Sequence, residues 1–465
     1  SILLENDQFN LQRVLMVEDL DMNNEVIEMI IVTLIFGIRA VSALSEHAVI
    51  KLASFITQTN PRLGELLMDS RFCDDLADSE TNTEKIDKLT AEADSLFESV
   101  GLRCKGWSKT GSPPHKDVTA DGHTVNVAGM CWWPETDGMM IIVPKLHFGK
   151  VVRGKIVVGT KVFDGSFADM CSFVPLNLSR RVIVSKFSSL WDPLGKLTPI
   201  TAAMKVNIRE AVLQTADWDG VVSADLRQKW VQNFWRMEQL RGLQFTRARI
   251  PEDAVNLDMQ LIASGDAANL VKSAVVHVRF LRANGEYSCQ QVMGRSLLGK
   301  EDTSIAKEEL EIGTVASNML WVCRNAFKGW NIDYRLLSDS IIALCWISSE
   351  HKRLSLYHRN RVNQIKFHCE LDKIYFVRTD HNASDVATRP EKVTELSVGP
   401  GSVWENGTEW MTGSFEAAME ADIIKPISDL RLPESDESEF DKGIVMEKVP
   451  EILVRGHVVS DERVS

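Results

Sequence analysis

The order of hydrophobic periodicities between Leu257 and Arg389, with the four acidic residues it carries, constrains this chain more than any other feature. Residues 257–263 alternate apolar and polar and run into Ser264-Gly265-Asp266-Ala267, the pattern of a strand that ends in a carboxylate. Residues 275–281 read as a second strand, Asn284-Gly285 as a hairpin turn, and residues 287–293 as a third strand. Residues 304–327 have helical spacing, with Leu310, Val315, Met319, Leu320 and Val322 apolar and Glu309 in the first turns. A short strand at 332–337 delivers Asp339 at its tip and is followed by a helix at 341–347; the last strand, 374–377, precedes a loop carrying Asp385. Each acid taken singly is more often an ordinary surface carboxylate. Four of them in the settings strand, helix, strand end and loop are the layout of a cluster that needs cations. Hard oxygen ligands suit Mg²⁺ or Mn²⁺, and two such ions about 3.5–4 Å apart can activate a water and stabilise a leaving oxygen of a phosphodiester. The expected metal ligands are therefore Asp266, Glu309, Asp339 and Asp385.

This layout points to a ribonuclease H-like site, and the stretch from Ser264 to Arg389 resembles the ribonuclease H region of BEL/Pao-type LTR retrotransposon polyproteins. In that family a strand end of small residues carries Asp, here Ser264-Gly-Asp266-Ala. An I-P-R-L-E-L segment carries Glu, here Ile305-Ala-Lys-Glu-Glu309-Leu, and a T-D-S precedes a helix ending in Trp-Ile, here Ser338-Asp339-Ser340 to Trp346-Ile347. The last Asp lies in N-P-A-D-x-A-S-R, here Asn382-Ala-Ser-Asp385-Val-Ala-Thr-Arg389. Ala306 and Ala383 stand where the family has prolines, Glu308 where it has an apolar residue, and Phe376 where a His is common; His381 is then the nearby group left to help product leave.

The resemblance continues upstream. Phe72-Cys-Asp74-Asp75-Leu76 is similar to the reverse transcriptase Y-x-D-D hairpin, and Phe36-Gly37 to the F-G-x-x-x-S-P element. Gly101-Leu-Arg-Cys-Lys105-Gly-Trp107-Ser108 resembles G-F-x-L-x-K-W-x-S, and Val127 to Trp132 resembles V-L-G-x-x-W. Residues 179–185 and Leu190-Trp-Asp192-Pro-Leu-Gly195-Lys-Leu-Thr-Pro199 resemble K-R-x-x-L-S and F-D-P-L-G-L-L-x-P, the latter the most family-specific string of the chain. The resemblance implies a multi-domain α/β (α+β) chain: a truncated reverse transcriptase palm and thumb followed by a ribonuclease H-like mixed-sheet domain. Its expected parts are a partial palm at 1–112, thumb and connection at 113–255, the ribonuclease H-like domain at 256–392, and an acidic, partly disordered tail at 393–465 leading toward an integrase. A polymerase palm needs a third carboxylate, which the family places upstream of Ser1, and Val41-Ser42 stands where Ser-Pro is usual. No DNA synthesis by this chain on its own is expected.

The net charge of −13 sits oddly with nucleic-acid chemistry, because phosphate binding needs Lys and Arg. Its distribution reduces the conflict: residues 391–465 hold 17 acids against 7 bases, so the first 390 residues are close to neutral. Lys352, Arg353, Arg359 and Arg361, between the third and fourth acids, together with Lys105, are the candidate nucleic-acid contacts; a solvated helix face is the equal alternative. The aromatic stripe Trp230, Phe234, Trp235 reads as core rather than as a base-stacking platform. No apolar run approaches the roughly 20 residues that span a bilayer, and the cysteines form no C-x-x-C pair, so reduced thiols, no membrane and an intracellular location, cytoplasm or nucleus, are expected.

The family segment around Asp192-Pro-Leu-Gly195 also goes under the label of an aspartic peptidase. That chemistry needs Asp-Thr-Gly or Asp-Ser-Gly loops whose paired carboxyls share a proton, and the sequence contains neither tripeptide. Three readings remain: a ribonuclease H-type endonuclease cutting the RNA of RNA:DNA hybrids, a decayed or domesticated nucleic-acid-binding fragment, and an inert scaffold whose acidic tail binds protein. The remainder of a pol polyprotein is a further expected partner.

Overall fold

The computed structural model describes residues 13–17, 26–30, 41–72, 75–80, 82–149, 151–152, 155–156, 160–349 and 354–430. The chain divides into two units, one of residues 1–254 with 326–328 and 393–405, the other of residues 255–325, 329–392 and 406–465. Among the described residues no helix is long and apolar enough to cross a membrane.

In the first unit, the helices Phe167–Phe173, Arg180–Ser188, Thr198–Gln214 and Ala224–Gln239 share a core with a four-stranded antiparallel sheet. Trp230 and Phe234 are fully buried in that core, so the aromatic stripe is packing surface. Ser179 and Ser223 cap their helices by accepting backbone N–H bonds from Val182 and Leu226. A second, smaller core holds Ala53, Leu63, Leu66, Leu67, Leu89, Ala93 and Phe97 from the helices Val41–Ile56, Pro61–Asp69 and Thr83–Ser99.

The second unit is built on one six-stranded mixed sheet. In chain order it contains β1 (Met259–Ala267), β2 (Val271–Leu281), β3 (Tyr287–Leu298), α1 (Ile305–Ala326), β4 (Ile332–Ser338), α2 (Ile341–Ser348), α3 (Leu356–His368), β5 (Ile374–Val377), α4 (Asp385–Thr388), α5 (Phe415–Glu420) and β6 (Ile424–Pro426). The strand order is β3-β2-β1-β4-β5-β6, with β1, β4 and β5 mutually parallel and the other pairings antiparallel. The α/β class read from the sequence, with a mixed sheet, is what the chain adopts. The central strand β1 is buried on both faces at every position but Gln260, so the alternation expected from its first half gives way to continuous burial. Strands covered by helices on both sides behave this way.

Two local expectations change. Asp385 does not lie in an open loop but begins the single turn of helix α4. Residues 393–430, expected to open an acidic tail, are folded. Trp410, Met411, Phe415 and Ala418 pack with Ile262, Leu337 and Val377, and β6 pairs with β5 as the outermost strand. The acidic stretch from residue 431 onward lies outside the described residues.

Candidate metal centre at the carboxyl ends of the parallel strands

Parallel pairing brings the first two acids together. Ser264 on β1 is in register with Leu337 on β4, and Asp266 and Asp339 each lie two residues further along. Side chains two apart share a face, and neighbouring strands lie roughly 4.8 Å apart, so the two carboxylates meet at one edge on one face.

The third acid arrives because of a missing side chain. A Cβ on Gly265 would stand 3.2 Å from Ile312 Cγ2 and 3.4 Å from the Ile312 backbone, so glycine lets α1 approach β1. Glu309 precedes Ile312 by almost one turn on the same helix, and its Oε1 accepts the Ala267 backbone N–H at 2.9 Å. Ligand oxygens of Asp266, Glu309 and Asp339 then all lie within 4.8 Å of one another.

The electrostatics of this trio are those of carboxylates crowded without cations. Burial, with the neighbouring Asp339 and Asp385 charges adding to it, pushes the Asp266 carboxyl up to about 7, against the hydrogen bond from Thr388. Burial and the charges of Asp266 and Asp339 push Glu309 up to about 9. Asp339 is also raised, first by burial, with hydrogen bonds to Thr379 and Asn382 opposing. Glu309 Oε2 and Asp339 Oδ1 are buried without a hydrogen-bond partner. Buried polar atoms are ordinarily satisfied, and two orphaned acceptors on the carboxylates of one cluster fit a divalent cation of the Mg²⁺ or Mn²⁺ kind.

The fourth acid is held differently. Asp385 is close enough to raise both Asp266 and Asp339, yet its own oxygens are taken by Arg389, whose Nε lies 2.7 Å from each and whose Nη2 lies 2.6 Å from Oδ1. The turn bearing this pair is fixed to the sheet: Asn382 Nδ2 donates to the Gly265 carbonyl at 3.0 Å, and Ser273 Oγ on β2 donates to the Ser384 carbonyl at 2.7 Å. Thr388 Oγ1 donates to Asp266 Oδ2. His381 is half-buried, with its ring 3.6 Å from Asp380 and its carbonyl accepting from Thr408 and Trp410.

Arg359 and Arg361 are half-buried on α3; Arg359 donates to the Leu354 carbonyl, and Arg361 donates to the Tyr357 carbonyl while its guanidinium lies 3.5 Å from the centre of the Tyr357 ring. Lys352 and Arg353 lie outside the described residues. Lys105 is exposed. Of the polymerase-like pair, Asp74 lies outside the described residues and Asp75 is exposed on the two-residue strand that pairs Phe72 with Asp75.

Sequence reasoning missed a second buried constellation beside the trio. Glu308, where the family has an apolar residue, pairs with the fully buried Lys272 of β2, which also lies 3.2 Å from Glu311. The signal was present as two departures from apolar pattern, one on a strand and one on a helix. In the first unit, Asp192 holds a turn. Its Oδ1 and Oδ2 accept the backbone N–H groups of Lys196 and Leu197 at 2.9 and 2.7 Å, closing the turn, while Lys196 Nζ is 2.7 Å from both oxygens of buried Glu405.

Residues 179–340 match the family described as Pao retrotransposon-like RNaseH-like domain. The chain carries a Pao retrotransposon-like segment. It includes the Asp192 to Pro199 string and three of the four acids, and the description under which it matches is RNase H-like rather than peptidase. Among solved structures, the chain is similar to a foamy viral protease-reverse transcriptase dRH in complex with ds DNA, at 12% identity and TM-score 0.42, covering 81% of this chain and 54% of that one. It is also similar to RNase H1 from the halophilic archaeon Halobacterium salinarum NRC-1, at 12% identity and TM-score 0.18, covering 29% of this chain and 97% of that one. The chain thus spans about half the length of the foamy viral protein. No curated protein matches the sequence.

Proposed function

We propose that the second unit is a divalent-cation-dependent endonuclease of ribonuclease H type, hydrolysing the RNA strand of RNA:DNA hybrids to leave a 3′-hydroxyl and a 5′-phosphate. The observation that carries this reading is the convergence of Asp266, Glu309 and Asp339, with two of their oxygens buried and unpartnered. Asp266, Glu309 and Asp339 would hold Mg²⁺ or Mn²⁺, with Asp385 completing the set for a second ion. Such ions, when bound, supply a hydroxide-like water at neutral pH and charge stabilisation at the phosphate. The chain's own groups set the geometry. The Ala267 N–H orients Glu309, Thr388 orients Asp266, and Asn382 anchors the Asp385 turn to the strand that carries Asp266. His381, beside this turn in sequence, is the proposed group for assisting product departure. Nucleic acid, and other parts of a pol polyprotein, are the proposed partners.

A second reading, a nucleic-acid-binding fragment without catalysis, is favoured by the engagement of Asp385 with Arg389. The two separate in one assay. A labelled RNA:DNA hybrid should be cut in Mg²⁺ or Mn²⁺ by the full chain and left intact by Asp339→Asn. Salt-dependent binding without cleavage selects the second reading, and neither binding nor cleavage leaves only a scaffold.

A further inference from the structure

We infer that Arg389 is an internal counter-cation of this centre, which neutralises Asp385 in the cation-free protein and competes with a second divalent ion for it. The inference rests on the proposed metal-dependent reading of the same site and adds the order in which the site fills.

The four acids fall into two sets by what their oxygens touch. Glu309 and Asp339 each present a buried oxygen with no partner. Asp385, four residues before Arg389 along the same turn, has both oxygens within 2.7 Å of guanidinium nitrogens. A guanidinium fork on a carboxylate is the geometry in which an organic cation best substitutes for an inorganic one. The pair is half-exposed, with 42% of the Arg389 side chain and 26% of the Asp385 side chain open to solvent. Partly exposed pairs of this kind contribute little net stability, so a divalent ion can displace one.

Two consequences follow. The first ion needs no movement of α4, because the ligand oxygens of Asp266, Glu309 and Asp339 already lie within 4.8 Å of one another. The second ion can reach Asp385 only as Arg389 leaves. Binding is therefore stepwise, and Arg389, whose charge also reaches Asp266, bears most strongly on the second step.

Isothermal titration of the full chain with Mn²⁺, in the absence of nucleic acid, reads both steps without reference to cleavage. Wild type should show one tight event and one weaker event. Arg389→Ala should tighten the second by about fivefold, the equivalent of roughly 1 kcal/mol of removed competition, and the first by clearly less. Arg389→Lys, which keeps a charge, should remain near wild type, and Arg389→Ala combined with Asp385→Asn should lose the gain. Arg389→Gln carries the same test if the alanine variant melts early. A second event that is unchanged or weaker in the uncharged variants, with the first intact, overturns the role of Arg389 and leaves the three-acid cradle standing. Absence of any Mn²⁺ binding by wild type that Asp339→Asn abolishes overturns both.

Discussion

Removing divalent ions should make the second unit less stable as pH rises, because the acid trio must then ionise without a counter-charge. Asp266 and Glu309 ionise near their ordinary values, about 4 to 4.5, in the unfolded chain. In the fold they are pushed up to about 7 and about 9. Between those limits the folded state binds more protons than the unfolded state, so stability is full below about pH 4 and is lost as pH climbs through 7 toward 9. Each pKa unit corresponds to about 1.4 kcal/mol, and a realistic loss between pH 5 and 8 is a few kcal/mol, or very roughly 5–10 °C of melting temperature for a unit of this size. Thermal melts in EDTA at pH 5, 6, 7 and 8 measure it. Added Mg²⁺ or Mn²⁺ should flatten the profile, and ion binding at pH 7 should release protons detectable with an indicator dye. Asp266→Asn should reduce the slope in EDTA. An apo melting temperature that is flat or rises over this range, or a slope unaffected by Asp266→Asn, would refute the assignment of the trio as crowded, cation-seeking carboxylates.

Gly265→Ala should displace α1 by a few tenths of an ångström through Ile312, destabilising the unit by about 1–3 kcal/mol in urea melts and weakening Mn²⁺ binding; unchanged values would mean that the close approach does not matter. Lys272→Met strands the buried Glu308 and should destabilise by about 3–5 kcal/mol, while Lys272→Met with Glu308→Leu should recover most of that loss, as a urea double-mutant cycle would read. Asp192→Asn should lower the stability of the first unit through its turn by about 1 kcal/mol and leave hybrid cleavage unchanged; a loss of cleavage at full stability would contradict its purely structural role.

What was legible in the sequence was whatever depends on local periodicity. Residues 259–338 announce three strands, a helix and a strand through the spacing of their apolar residues, and the positions of Asp266, Glu309 and Asp339 at the ends or first turns of those elements follow from the same spacing. The parallel pairing of β1 with β4, which makes Asp266 and Asp339 neighbours, is a long-range fact that local periodicity does not carry. The folding of residues 393–430 was not legible. Trp404, Trp410, Met411, Phe415 and Ile424 are scattered over elements of three to six residues, too short for a period to show, and the surrounding negative charge reads as solvent-facing chain. Side-chain direction was equally hidden: Arg359 and Arg361 read as a basic face in sequence but bond back to their own helix region. Thr388 and Arg389, read only as the end of a motif, act on Asp266 and Asp385, because a turn one helical step long brings them back over the acids.

The central claim is that three carboxylates distant in sequence form one divalent-ion cradle. Crystals of the full chain soaked in Mn²⁺ and measured at the manganese absorption edge test it most directly. The account predicts an anomalous peak bounded by the oxygens of Asp266, Glu309 and Asp339. A map without density there, or a peak at an unrelated surface carboxylate alone, would contradict it.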